Sequence, residues 1–110
     1  MYRLEFLPIA RRDMIEIVRY ISEDLNNPAA ALNLANEMIK KADNLKEFPY
    51  INMIHQTLKQ LKYEYRKQAV KNYFLFYWVE ETPIKLVTIA RVIYARRNFD
   101  ELFDTDNPTP

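Results

Sequence analysis

Neither cysteine nor glycine occurs among the 110 residues, and histidine occurs once, as His55. Without cysteine there is no disulfide and no thiolate ligand, and one imidazole cannot build a histidine metal site, so no metal and no cofactor are expected. Without glycine, any backbone position with positive φ must fall to Asn or Asp or be avoided. Long apolar runs are missing as well. The longest, such as Tyr73 to Val79, are far too short to span a bilayer, and no signal peptide precedes the first predicted strand. A cytoplasmic chain that does not engage a membrane is expected.

What is present fits one domain. At this length a fold buries roughly two thirds of the surface its unfolded chain exposes, enough for one modest core. Hydrophobic residues at 49% and charged residues at 28% lie near globular averages, which argues against disorder. The net charge of +1 conceals an asymmetry: residues 1–58 hold 7 basic and 8 acidic groups, residues 59–97 hold 9 and 3, and residues 98–110 hold none and 4. The middle portion is thus +6 and the last −4. A polyanion or an acidic protein is the natural partner of the basic part.

Tyr2, Leu4 and Phe6 alternate with Arg3 and Glu5, the period of a half-buried strand over Tyr2–Leu7, and Pro8 ends it. From Ile9 the apolar residues Ala10, Met14, Ile17, Val18, Ile21 and Leu25 fall on one helical stripe. Asn26-Asn27-Pro28 then reads as a stop and restart, since Asn caps a helix and Pro at its first position has no amide hydrogen to leave unpaired. A second stripe of Ala31, Leu34, Ala35, Met38, Ile39, Ala42 and Leu45 predicts a helical hairpin, ended by Pro49; its small residues Ala30, Ala31 and Ala35 permit close helix approach. Residues 50–60 have no clean period and are predicted as a loop.

Three closely spaced strands are predicted next, over Leu61–Val70, Asn72–Glu80 and Lys85–Tyr94, in an antiparallel meander. The middle one, Tyr73-Phe-Leu-Phe-Tyr-Trp-Val79, is apolar on both faces. This predicts a central strand with the hairpin on one side and its other face available to a partner. After Arg97, residues Asn98 to Phe103 have the composition of one helical turn or more, and 104–110 that of a flexible tail. The expected architecture is α+β in the order β-α-α-β-β-β, a twisted, antiparallel-rich sheet packed against an N-terminal helical hairpin, with one domain over residues 1–103.

The basic run Ile89-Ala-Arg-Val-Ile-Tyr-Ala-Arg-Arg-Asn-Phe99 sets Arg91, Arg96 and Arg97 around Tyr94 at a strand's end. Guanidinium groups bind phosphate oxygens or carboxylates in pairs, so Lys62, Arg66, Lys67, Arg91, Arg96 and Arg97 are the candidate target or phosphate contacts. Arg91 falls inside a strand and has a plainer reading as half of an ion pair on an exposed edge. The aromatics of the central strand are read as core rather than as base-stacking surfaces. His55 is read as a structural loop residue.

This order of elements, together with Asn72-Tyr-Phe-Leu-Phe-Tyr77 and Arg91-Val-Ile-Tyr-Ala-Arg-Arg-Asn98, resembles the RelE/ParE superfamily of type II toxin–antitoxin toxins. The resemblance covers residues 2 to about 103. The second motif is similar to the Arg-Val-Leu-His-Gly-Arg-x-Asp pattern of the ParE branch, with Tyr94, Ala95 and Asn98 in the places of His, Gly and Asp. The RelE branch has an arginine after the first Tyr of the central-strand motif, where this chain has Phe74. The resemblance implies a growth-arresting toxin neutralised by a cognate antitoxin, an acidic-amphipathic segment of which wraps the toxin. It implies inhibition of DNA gyrase if the chain follows ParE, with no hydrolytic site, and ribosome-dependent cleavage of messenger RNA if it follows RelE. Cleavage through a 2′-hydroxyl requires proton carriers as well as cations. Under that reading Arg66, Tyr94 and Arg97 are the candidate catalytic residues, with Glu64, Tyr65 and Lys67 as further candidates for proton work. A non-toxic nucleic-acid-binding or regulatory scaffold is a third reading, since fold alone does not fix function.

Overall fold

A computed structural model describes residues 1–56 and 61–97. Strand β1 (Arg3–Phe6) leads directly into helix α1 (Pro8–Arg19), which continues as a π turn over Tyr20–Asp24; helix α2 (Pro28–Asn44) returns antiparallel to it, and β2 (Arg66–Val70), β3 (Tyr73–Glu80) and β4 (Leu86–Tyr94) complete the order. The predicted α+β arrangement is therefore the one observed. Pro8 ends β1 and starts α1, where its missing amide hydrogen costs nothing and the carbonyl of Leu7 accepts from Ala10 and Arg11 at 2.9 and 3.1 Å. Asn27 caps α2 through its side-chain oxygen, which accepts from the Ala30 amide at 3.1 Å.

The sheet runs β1-β4-β3-β2, with β1 parallel to β4 and the other two pairs antiparallel. Its helix-facing side carries the main core: Ala10, Leu34, Met38, Ala42 and Leu45 pack on Val70, Leu75, Tyr77, Val87, Ile89 and Val92. The register jumps from Phe76 opposite Arg91 to Tyr77 opposite Ile89, leaving Ala90 as the extra residue of a β-bulge. Because of it, Ile89 and Val92 share the helix-facing core although they are three residues apart, while Ala90 and Ile93 face the other way.

Two sequence expectations change. The strand predicted over 61–70 begins only at Arg66, and the preceding residues cross the far face of the sheet. There the ring of Tyr63 lies flat on Trp78, centroids 3.9 Å apart and planes within 4°, and Tyr65 meets Trp78 edge-on at 5.8 Å. Burying those rings against Phe76, Trp78, Ala90 and Ile93 outweighs extending an edge ladder by a few residues. As a result, the face expected to await a partner is covered in part by the chain itself.

The second concerns positive φ. Asn26 adopts it as expected (51°), but so does Lys71 (53°), in the turn between β2 and β3. A two-residue connection there demands the left-handed region, and a chain without glycine meets the demand with a lysine. The expectations for Asn98–Phe103 and for 104–110 fall outside the described residues. No described helix is long and apolar enough to cross a membrane.

Candidate functional site

At one end of the sheet the Lys71–Asn72 turn meets the exit of β4. Register places Tyr73 opposite Tyr94, and their rings meet edge-to-face at 5.6 Å. The Ala95 amide donates to the Asn72 carbonyl at 2.8 Å, and the Arg97 amide to the Tyr94 carbonyl at 2.9 Å, so β4 ends in a tight turn rather than a loose strand. This gathers Lys71, Arg96 and Arg97, all exposed, beside two phenols. Burial, with the phenols of Tyr94 and Tyr20 nearby, pushes the Tyr73 hydroxyl above its ordinary range.

A groove of about 810 Å³ opens beside this end, between α1 with its π turn, the start of α2 and the sheet. Its floor is apolar, formed by Ile17, Ile21, Leu34 and Val92, and its sheet-side rim carries Lys71, Tyr94 and Arg97. The π turn shapes the opposite rim. The Leu25 amide bonds the Tyr20 carbonyl at 3.0 Å, one residue further back than in an α-helix, which widens the last turn and leaves Tyr20 and Leu25 half exposed along the groove.

Arg91 is half of an ion pair, as its plainer reading has it, but inside the sheet and not on an exposed edge. Its Nε and a terminal nitrogen bind the two carboxylate oxygens of Asp13 on α1 at 2.8 and 3.1 Å, and one of those oxygens also accepts the Val92 amide at 2.9 Å. Both side chains are only 12–13% exposed, and β4 lies between two strands rather than at an edge. The β1–β4 ladder stops at Phe6 opposite Ile89, so the Asp13 carboxylate takes over as acceptor just beyond it. Arg91, expected among the target contacts, is thereby committed to holding the bulged end of β4 against α1. No phosphate can use its fork while Asp13 does.

The remaining candidates do not converge. Arg66 lies opposite Tyr77 on the edge strand, four residues along β3 from the Tyr73–Tyr94 pair and two strands away from β4. At strand spacings of about 3.3 Å per residue and 4.8 Å per strand, its α-carbon is about 16 Å from that of Tyr94. Its guanidinium donates to the Asn52 carbonyl at 2.6 Å and lies 4.9 Å from the centre of the Tyr50 ring. Lys67 sits over Phe74 at 4.5 Å and Lys62 over Tyr63 at 5.3 Å, both against rings of the far-face cluster. Glu64 is exposed, whereas Tyr65 is buried, with its hydroxyl pushed upward by that burial and by Tyr63. His55 donates its amide to the Tyr65 carbonyl at 2.7 Å and packs its ring on Phe76. Thus the sheet end unites Tyr94, Arg96 and Arg97, and leaves Arg66, Lys67 and Lys62 elsewhere.

A second polar cluster lies at the opposite end of the sheet. Tyr2 donates to Glu81 at 2.6 Å, Tyr50 donates to the same oxygen, and Lys85 lies 5.5 Å from the centre of the Tyr2 ring. These two phenols hold the Glu81 carboxyl below its usual range. Asn52 bonds Gln68 and Tyr77 at 2.8 and 3.2 Å, and Tyr77 donates to the Pro49 carbonyl at 2.8 Å, which fastens the segment after α2 to the sheet. This cluster closes the fold. Sequence reading missed two residues that shape the basic end, Lys71 and Asp13. The signal for Asp13 was present: it falls on the Ala10–Met14–Ile17 stripe, where a carboxylate needs a buried cation.

These features define a small α+β domain with a basic sheet end beside two phenols. The family profile described as ParE toxin of type II toxin-antitoxin system, parDE, matches residues 4–99. The chain belongs to that family, and the family implies a cognate antitoxin as partner. Among solved structures it is similar to one titled "Chromosomal ParDE TA system from P. aeruginosa", with a TM-score of 0.69, 15% identity, and coverage of 87% of this chain and 98% of that one. At that identity the likeness concerns the fold. A search of curated protein sequences found no match.

Proposed function

We propose that this toxin arrests growth by inhibiting DNA gyrase, and that Lys71, Tyr94, Arg96 and Arg97 at the basic sheet end are its target contacts. The observation that carries this reading is the separation of the three residues a cleavage reaction would need. Tyr94 and Arg97 stand at one end of the sheet, and Arg66, occupied by Asn52 and Tyr50, stands about 16 Å away by strand geometry. Proton transfer in a transition state requires groups within hydrogen-bond reach of one reacting centre. Phe74 in the place of the RelE arginine supports the same conclusion. Three exposed cations beside phenols suit recognition of an acidic protein surface or a phosphate backbone without any bond being broken.

The test is induced expression in bacteria, with plasmid topology and messenger RNA ends followed in the same cultures. Growth arrest with loss of negative supercoiling and intact messages is the expected result. Arrest accompanied by cuts at ribosomal A-site codons would replace this reading with a RelE-like endoribonuclease.

A further inference from the structure

Strand β4 changes phase along its length. Ile89 turns its carbonyl toward β1, where it accepts the Leu7 amide at 2.9 Å, so in a regular strand Arg91, two residues on, would turn its amide to the same side. The amide that reaches Asp13 on that side is instead the one of Val92, at 2.9 Å. This shift by one residue is the bulge at Ala90, and it carries to the end of the strand: Tyr94, and not Ile93, stands opposite Tyr73. The apolar pattern does not choose between the two registers at Val92 and Ile93, because both are β-branched, both are buried and each suits either face. The polar groups do choose. Asp13 accepts from the Val92 amide and from two nitrogens of Arg91, where both side chains are only 12–13% exposed.

We propose that Asp13 is the positioning residue that sets the register of β4, and with it the face on which Tyr94 stands. In the regular register Ile93 would lie opposite Tyr73, while Tyr94 would move opposite Asn72 and turn to the other face of the sheet. The Tyr73–Tyr94 ring contact at 5.6 Å and the Ala95–Asn72 bond at 2.8 Å, which lead into the turn that carries Arg96 and Arg97, belong to the bulged register. A buried ion pair is well suited to this duty, since such pairs specify register better than they add net stability. The consequence for toxicity rests on the basic sheet end being the target surface; the register role does not.

With no native cysteine in the chain, an introduced pair reports the register directly. The bond from the Ala95 amide to the Asn72 carbonyl makes Tyr73 and Tyr94 a non-hydrogen-bonded pair, with α-carbons about 4.5 Å apart and within disulfide reach; in the regular register that place falls to Tyr73 and Ile93. Tyr73→Cys with Tyr94→Cys is therefore expected to close at least about tenfold faster in oxidised glutathione than Tyr73→Cys with Ile93→Cys. Asp13→Ala should reduce that preference severalfold and Asp13→Asn less, because its amide oxygen still accepts from Val92. Tyr63→Ala, which loosens the far face without touching Asp13, should leave it unchanged. A preference unaltered by Asp13→Ala, or by Asp13→Asn if the alanine variant does not fold, would overturn the proposal; so would an equal loss with Tyr63→Ala, which would make Asp13 a stabilising residue only. In cells, Asp13→Ala with both tyrosines intact should arrest growth less than Tyr63→Ala does. An altered register with undiminished arrest would overturn the sheet end as the toxic surface and leave the role of Asp13 standing.

Discussion

Single residues at the two ends of the sheet carry separate duties. Asp13 serves three donors at once, two from Arg91 and one from Val92. Replacing it with Ala leaves a nearly buried guanidinium and a backbone amide without an acceptor, and is expected to cost about 3 kcal/mol in urea unfolding. Asp13→Asn should cost less, because the amide oxygen still accepts. At the opposite end, Glu81 is held below its ordinary range by hydrogen bonds from Tyr2 and Tyr50, so its stabilising contribution is present above the ordinary carboxyl pKa and is lost as pH falls through the depressed value. The stability difference between the native chain and Glu81→Gln should therefore shrink as pH is lowered from about 6 to about 3, followed by denaturant midpoints. A constant difference across that range would show that the two phenols do not select the charged form. Glu81 could not be read from sequence as their acceptor, because it is 79 residues from Tyr2 and 31 from Tyr50 in the chain.

At the scale of elements, local pattern was enough wherever one period dominated. The alternation of Tyr2, Leu4 and Phe6, the two helical stripes and the Asn-Pro restart each specify their element without help from distant residues. The stretch from Leu61 to Tyr65 was misread because its aromatic and charged alternation suits a strand equally well. What removes it from the sheet is a tertiary contact, Tyr63 on Trp78. That contact has its own test. Trp78 is the only tryptophan, so Tyr63→Ala should shift its fluorescence to longer wavelength and cost about 2 kcal/mol through lost burial and stacking. Unchanged emission would mean that the crossing segment does not shield the far face. The bulge at Ala90 was equally hidden, since a one-residue register jump leaves no mark on an apolar strand; yet it sets the aim of Arg91 and explains why a residue legible as a cation became an internal tie.

For the molecule as a whole, the sheet separates its roles by position. One end is closed by the Tyr2–Glu81–Tyr50 cluster and the Asn52 network, and the far face is covered in part by the 61–65 crossing. The other end keeps Lys71, Arg96 and Arg97 exposed beside Tyr94 and the groove. The concentration of basic charge in residues 59–97 announced a cationic site, but only the fold distinguishes the cations gathered there from those spent on Asp13, Tyr50 and Phe74. The measurement that tests this most directly is the growth and plasmid supercoiling of cells expressing the native chain or its Arg96→Ala, Arg97→Ala variant, with the fold of each purified protein checked by circular dichroism. The account predicts that the variant folds normally while growth and supercoiling recover substantially. A well-folded variant that arrests growth and relaxes plasmids as fully as the native chain would contradict the assignment of the basic sheet end as the toxic surface.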